Sequence, residues 1–271
     1  MRRLIIFGIS LFIFNLLQAQ TKDTIFNQTD AKGLKQGFWK VKYDNGSINY
    51  TAFFKNGKPV GLMKRYFEDQ SLKAEMNFRS NGAITYAKIY YQDGPLAAEG
   101  KYINSLKDST WKYYSYYSKA LTSLENYTNG KKNGMSYSYY PTGKVSEETA
   151  WKNGVRDGIW REYFENGNLK LSSFYTNGKR TGAFVLYYPE GSVEWKGKFT
   201  DDKRDSTWEH YNENGSFDIK VVYEEGVPKN ENEQLDKETE ILNKLEDLKG
   251  KIPEPDETNF LNSNPNKQQE N

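Results

Sequence analysis

The sequence predicts an all-β fold: an elongated single-sheet meander of about eight 24-residue β-hairpin repeats, with a short C-terminal amphipathic helix and a disordered tail. Three observations support this prediction. A Gly or small residue followed by an aromatic pair recurs every 24 residues, with one interval of 25. Asn-Gly-like pairs punctuate each repeat twice, and apolar residues alternate with polar ones between them, as in strands. The repeats, numbered here as units 1 to 8, begin at Gly37, Gly61, Thr85, Ser109, Gly134, Gly158, Gly182 and Ser206.

The N-terminus, residues 1–19, has the three parts of a secretory signal peptide. Arg2 and Arg3 precede the apolar run from Leu4 to Leu17, and small and polar residues around Ala19 follow it. The run is about 14 residues long, shorter than the roughly 20 that span a bilayer as a helix, although an uncleaved anchor is an alternative. We therefore expect export to the periplasm, the outer envelope or the extracellular space. Residues 20–32 lead into the repeat array, which covers residues 33–228.

The composition argues against catalytic and metal-binding sites. The 271 residues include no Cys, so a disulfide framework and a thiolate metal site are excluded, and the single His, His210, cannot supply a His-based metal site. Adjacent carboxylates such as Glu147 and Glu148 point to opposite faces of a strand and do not flank a cleft. With 38 basic and 36 acidic residues, the chain lacks the charge excess of a nucleic-acid-binding protein. We expect no enzymatic activity, no cofactor, no metal and no nucleic-acid partner.

Each unit is predicted to be a hairpin. Positions are counted from the first residue of the unit, offset 0, and an Asn-Gly-like pair at offsets 8 and 9 predicts a two-residue turn whose Gly accepts a positive φ. Such a turn pairs offset 6 with 11 and offset 2 with 15. A second loop, as at Asn56-Gly57, returns the chain to the next hairpin, so sixteen strands result. The predicted turn glycines are Gly46, Gly94, Gly143, Gly167, Gly191 and Gly215.

One side of the sheet, called the apolar face, collects even offsets before the turn and odd offsets after it. Aromatic residues at offsets 2, 6 and 17 are predicted to form the core on this face, together with aliphatic residues such as Ile48 and Leu72 at offset 11. The structural aromatic positions are Trp39, Trp111, Trp160, Trp208, Tyr43, Phe164, Tyr188, Phe54, Tyr175 and Tyr223.

The opposite side, called the Tyr face, carries a row of Tyr at offset 5. Tyr offers a rigid ring and a hydroxyl, so this row is the predicted binding surface. The alternative is that the rings stack on Lys and Arg stems and stabilise the sheet. The two-residue turn places offset 12, for example Lys73 and Lys170, opposite the row. The row consists of Tyr66, Tyr90, Tyr114, Tyr139, Tyr163, Tyr187 and Tyr211.

In the segment 229–250 the apolar residues no longer alternate as in a strand but recur at helical spacing. Its Leu and Ile residues, set among Glu, Asp and Lys, predict an amphipathic helix from Asn232 to Lys249 that caps the last strand. A partner-binding or coiled-coil helix is the alternative. Residues 251–271, rich in Pro, Asn, Glu and Gln, are predicted to be a disordered tail.

The units resemble MORN repeats of the MORN variant type. Residues 156–167 read RDGIWREYFENG and residues 175–179 read YTNGK, and the resemblance covers Gly33 to Gly226. The chain is similar to the bacterial YwqK-type antitoxin family. The repeat family implies a non-catalytic scaffold for protein contacts and sometimes lipid contacts, and the antitoxin family implies neutralisation of a toxin. We expect a protein-binding scaffold. The alternatives are an antitoxin-like or immunity-like neutraliser and an envelope module that binds lipid headgroups or glycans through the Tyr row.

Overall fold

The computed structural model of the chain describes residues 25–92 and 94–229, together with Asn243. The predicted signal peptide, the C-terminal helix apart from Asn243, and the tail lie outside the described residues. The strands are β1 Gln28–Thr29, β2 Lys35–Lys42, β3 Ile48–Lys55, β4 Lys58–Tyr66, β5 Leu72–Arg79, β6 Ile84–Tyr90, β7 Leu96–Ile103, β8 Leu106–Tyr114, β9 Leu121–Thr128, β10 Lys131–Lys132, β11 Gly134–Tyr139, β12 Val145–Lys152, β13 Val155–Tyr163, β14 Leu169–Thr176, β15 Lys179–Arg180, β16 Gly182–Tyr187, β17 Val193–Thr200, β18 Lys203–Tyr211, β19 Phe217–Glu224 and β20 Val227–Pro228.

These strands form one antiparallel sheet in which each long strand pairs with the next long strand in chain order, whereas the short strands β10 and β15 pair with β9 and β14. Strands β1, β10, β15 and β20 have two residues each, and the sixteen others have between six and nine. The predicted fold class, an all-β single-sheet meander of hairpin repeats, is confirmed for the described residues. A 3₁₀ turn, Ser80–Gly82, lengthens the connection between β5 and β6.

The hairpin turns are longer than predicted. In unit 1 the Gly46 amide donates to the Tyr43 carbonyl at 2.9 Å and the Tyr43 amide donates to the Ser47 carbonyl at 2.8 Å, which encloses a three-residue loop. Gly46 is its last residue, with a φ of 84°. A three-residue hairpin loop places a left-handed residue at this position, and Gly adopts that conformation without steric cost. The two-residue turn is therefore wrong for this edge of the sheet.

The longer loop shifts the pairing, and a bulge then restores it. Lys42 lies opposite Ile48, so offset 5 pairs with offset 11. One additional residue in β3, Asn49, brings Trp39 opposite Ala52, so offset 2 pairs with offset 15 as predicted. The pairing of offset 6 with offset 11 is wrong. Because directly paired residues share a face, the offset-11 aliphatic residues lie on the Tyr face and not in the core.

The return loops are the two-residue turns. Asn56 and Gly57 have φ values of 52° and 75° and separate the paired residues Lys55 and Lys58, as in a type I′ turn. The Gly57 amide also donates to the carbonyl of Lys35 in the preceding strand at 2.9 Å. The corresponding amides of later return loops repeat this bond, which ties one edge of the sheet together from unit to unit; the donors are Gly130, Gly154, Gly178, Asp202 and Gly226.

Candidate binding surface

In six of the eight units the apolar face carries a cation that precedes offset 0 by two residues, and these cations are called the cation row. The Arg204 guanidinium lies 5.0 Å from the centre of the Trp208 ring and 5.4 Å from that of Tyr223, and it donates to the Tyr223 hydroxyl at 3.0 Å. Cation–π attraction and the apolar stems of these side chains together shield the rings from water. The same contact is made by Lys35, Lys107, Lys132, Arg156 and Arg180. A core can therefore form on a single sheet without a second layer.

Three of the four Trp residues at offset 2 are fully enclosed, and Trp39 is half-buried. Trp111, Trp160 and Trp208 are at most 2% exposed. The Trp208 ring lies flat on the backbone of Gly197, where an added Cβ would be 2.3 Å from Cδ2 of the ring. Its indole donates to the Lys198 carbonyl at 3.1 Å. Rings enclosed in this way present no surface to a ligand.

The residues of the Tyr row are half-buried and paired. Tyr90 lies opposite Leu96, and Tyr211 lies opposite Phe217. The ring centres of Tyr211 and Phe217 are 5.9 Å apart. The bulged residues at offset 12 are not the direct partners of the row, in contrast to the prediction. Each Tyr is thus packed against an aliphatic or aromatic neighbour on its own face.

Several hydroxyls of the row bind carboxylates of the same face. Tyr90 donates to Glu75 at 3.2 Å and Tyr114 donates to Glu99 at 2.8 Å. Burial of the ring, together with the hydrogen bond to Glu99, raises the pKa of Tyr114 to about 12. These contacts fit the stabilising role that was the alternative interpretation of the row, and the binding role stays a prediction.

A second set of Tyr residues forms hydrogen bonds to the backbone of the Tyr row. In units 1, 3, 5 and 7 the hydroxyl at offset 6 donates to the carbonyl of the offset-5 Tyr in the next unit. For example, the bond from Tyr43 to Tyr66 measures 2.7 Å and that from Tyr140 to Tyr163 measures 2.6 Å. The even units carry Phe67, Ser115, Phe164 or Asn212 at this offset. The array therefore alternates between two kinds of unit.

A ladder of charges runs beside the Tyr row at offsets 3 and 14. Lys64 lies 3.3 Å from Glu75, and Lys112 lies 3.7 Å from Glu99. Further along the sheet, Lys196 lies 2.8 Å from Glu209. Cross-strand pairs of opposite charge stabilise a sheet modestly and keep the Tyr face hydrated.

Exposed apolar side chains stand on the Tyr face, and the sequence interpretation missed them; four lie in units 1 to 3, and Phe174 and Val222 lie at the same offsets of units 6 and 8. Phe38 and Phe53 form a cross-strand pair with 36% and 50% exposure, and Leu62 and Tyr86 are 50% and 52% exposed. They occupy offsets 1 and 16, which alternate with the core offsets 2 and 15, so the parity rule contained the signal. With Phe26, whose ring lies 5.6 Å from that of Phe38, and Val60 they form what is here called the apolar patch.

A groove adjoins the apolar patch on the same face of units 2 to 4. Its volume is about 640 Å³, and Leu62 and Tyr86 of the patch form part of its wall. Glu75, Lys88 and Glu99 of the charged ladder form another part. The groove thus combines apolar contact area with both signs of charge.

The other candidate groups form no further site. His210 bonds to Asp218 at 2.8 Å, and its ring lies 4.7 Å from that of Trp195. In the described part of the chain, no three His, Asp or Glu side chains are grouped as a metal site. Between residues 25 and 229, Asp93 apart, no helix is long and apolar enough to cross a membrane.

Comparison with known proteins supports the repeat assignment. A family model described as the MORN repeat variant matches residues 132–153 and 156–177, which belong to two successive hairpins. These matches support a MORN-repeat protein, and such repeats are generally modules that bind proteins or membranes. No curated protein matches the chain. The similarity to YwqK-type antitoxins is not among these findings and stays a prediction.

Proposed function

We propose that this protein is an exported, non-catalytic scaffold that binds another protein through its Tyr face. The observation that carries the proposal is the contrast between the two faces. In six of the eight units a cation covers rings of the apolar face, whereas among the described residues the Tyr face has no covering layer and exposes Phe38, Phe53, Leu62 and Tyr86. A long, open and ordered surface suits a protein partner better than a small ligand, which binds in an enclosed pocket.

The ionisable groups of the Tyr face support a non-catalytic role. Glu75 and Glu99 accept hydrogen bonds from Tyr hydroxyls and form ion pairs with Lys64 and Lys112. Groups held in this way stabilise the surface and are not arranged as a nucleophile with its general base. The proposal of export rests on the three-part N-terminus of the sequence.

Crosslinking tests the binding role. The tagged full chain is crosslinked in cells, purified from the envelope fraction and compared with a variant carrying Phe38→Ser, Phe53→Ser and Leu62→Ser. We expect one stoichiometric protein partner with the wild-type chain and its loss from the variant, because the variant removes exposed contact area. The control carries Lys179→Ser and Lys203→Ser on the exposed edge of the return loops and should capture as the wild type does. Equal capture by the patch variant, with an unchanged urea midpoint, would refute the proposal.

The Tyr row is tested separately by Tyr139→Ser, Tyr163→Ser and Tyr187→Ser. We expect the triple variant to unfold at lower urea concentration, because its rings pack against offset-11 residues such as Leu169. A matched Tyr→Phe triple keeps the rings and should retain most of the stability. Lost capture in both triples at unchanged stability would instead assign binding to the hydroxyls.

The resemblance to YwqK-type antitoxins favours a second candidate, neutralisation of a toxin. Growth rescue when the chain is co-expressed with its captured partner would support it, and a partner without toxicity would contradict it. Recovery of lipid or carbohydrate without protein would favour an envelope module that binds lipid headgroups or glycans. Export is tested by the N-terminus of the mature protein, which we expect near Gln20, and by Leu11→Arg, which should retain the chain in the cytoplasm.

A further inference from the structure

We propose that the acidic segment 230–249 of one copy of this chain docks on the apolar patch of a second copy, so that the protein self-associates. The inference concerns self-recognition and goes beyond the proposed partner. It rests on three properties: the exposure of the patch, the charge around it and the composition of the segment.

The patch is large for an unpartnered surface. Its aromatic members, Phe26, Phe38, Phe53 and Tyr86, are between 36% and 52% exposed, and each side chain can bury roughly 150–250 Å². With Val60 and Leu62 the exposed apolar area is on the order of 500 Å², near the upper end of what soluble monomers leave open. Such a patch marks a site of contact.

The N-terminal part of the array, which carries the patch, has a net positive charge. Residues 25–92 contain eleven Lys and Arg against five Asp and Glu, whereas residues 94–229 are nearly neutral, with nineteen against eighteen. Lys40 and Lys88 flank the patch on its own face; in the described ranges neither side chain forms an ion pair, although Lys88 lies opposite Glu75 and Glu99 in the strand register. The Arg79 guanidinium lies 5.8 Å from the centre of the exposed Tyr86 ring. A partner for this region should therefore be acidic as well as apolar.

The segment 230–249 has both properties. It contains seven Asp and Glu against three Lys. Its apolar residues recur at the spacing of one helix face, which is how an amphipathic helix presents anchors to an apolar surface. These residues are Leu235, Ile241, Leu242, Leu245 and Leu248.

The distance along the sheet assigns the segment to a second copy. The segment follows Lys229, which bonds to Val222 of β19, whereas the patch is centred on β3 and β4. Fourteen strand spacings separate β3 from β19, about 65 Å at roughly 4.8 Å per strand. If the segment forms the predicted helix, its twenty residues span only about 30 Å. Two copies in opposite orientations would let each segment reach the other patch, which gives a closed dimer.

Charge exchange in the full-length protein tests the inference by sedimentation equilibrium. The segment variant carries Glu231→Lys, Asp236→Lys, Glu238→Lys and Glu240→Lys. A second variant, called the patch-charge variant, carries Lys40→Glu and Lys88→Glu. We expect each variant to weaken self-association at least about tenfold and their combination to recover it, because only the combination restores opposite charges. The control, Lys179→Glu with Lys203→Glu on the return-loop edge, should associate as the wild type does.

Three results would overturn the inference. The wild-type chain could be monomeric at every concentration, or both charge variants could associate as strongly as the wild type. The third is a monomer in which the segment protects the patch of the same copy from chemical labelling. The segment variant keeps Phe38, Phe53 and Leu62, so it still tests capture of the proposed partner. Failure of self-association and failure of the proposed function are therefore distinguishable.

Discussion

Units 2 and 3 and units 6 to 8 share one hairpin geometry but build their apolar faces differently. In units 6 to 8 a large ring stands at offset 2, and an Arg precedes each unit by two residues; the rings are Trp160, Phe184 and Trp208. In units 2 and 3 the same offset holds Met63 and Ala87, and the preceding positions hold Pro59 and Ala83. The backbone repeat thus persists while the means of stabilising it changes. Units 2 and 3 carry the groove and part of the apolar patch on their other face.

This comparison suggests a division of roles along the array. In a repeat protein, stability is approximately a sum over units and their interfaces, so one region can be less stable without unfolding the whole. Rings at offset 2 anchor units 6 to 8. Units 2 and 3 hold smaller or more flexible side chains there, and their other face exposes Leu62 and Tyr86, as units 6 and 8 expose Phe174 and Val222. Substitutions placed in equivalent positions of the two regions can test this division.

The largest contrast is expected from removing the offset-2 side chain. Trp208→Ala should lower the free energy of unfolding by about 3–5 kcal/mol, because it deletes a fully buried ring. Met63→Ala should cost about 1–2 kcal/mol, since Met63 is only half-buried. Urea unfolding followed by far-UV circular dichroism measures both changes. Equal losses at the two sites would contradict the proposed division of roles.

The next effect concerns the Gly beneath the Trp ring. Gly197→Ala should cost about 1–3 kcal/mol, because the added Cβ would lie 2.3 Å from Trp208 Cδ2. Combining it with Trp208→Val removes the clash, so the double variant should lose less than the sum of the single variants. Additive losses in the urea experiment would show that the ring and Gly197 are not coupled.

A smaller effect is expected from the cation row. Arg204→Leu removes the contacts to Trp208 and Tyr223 and should cost about 1–2 kcal/mol. Lys203→Leu, at the neighbouring exposed position, is the matched control and should change the urea midpoint very little. If both substitutions shifted the urea midpoint equally, the cation row would not be what shields the core rings from water.

The smallest effect is a pH dependence near the groove. The pKa of Tyr114 is raised to about 12, so the folded state holds this proton more firmly than the unfolded state, where the value is near 10. Its contribution to stability is therefore complete below pH 10 and is lost as the pH rises toward 12. Ultraviolet difference titration of wild type and Tyr114→Phe should resolve one late phenol. A titration at the ordinary value would contradict the burial of this ring.

The sheet and its two faces could be predicted from sequence because alternation is a local property of strands. Trp39 and Ala52 belong to one face under either turn, since offsets 2 and 15 remain paired. Loop length was harder to predict, because an Asn-Gly pair fits both the type I′ turn at Asn56-Gly57 and the three-residue loop that ends at Gly46. The extra residue of the β-bulge restores the predicted strand pairing after the loop, so the longer loop changes the pairing only beside the Tyr row.

The sequence by itself determined the number of units, the meander and the faces on which Trp208 and Tyr163 lie, because period and parity follow from strand geometry. Only the tertiary structure decided which rings are covered. Arg204 meets Trp208 through the path of the return loop, and Phe38 and Phe53 remain exposed because no described residue covers their side of the sheet. Covering depends on contacts between strands, and these are set by loop geometry and twist that a linear pattern does not contain.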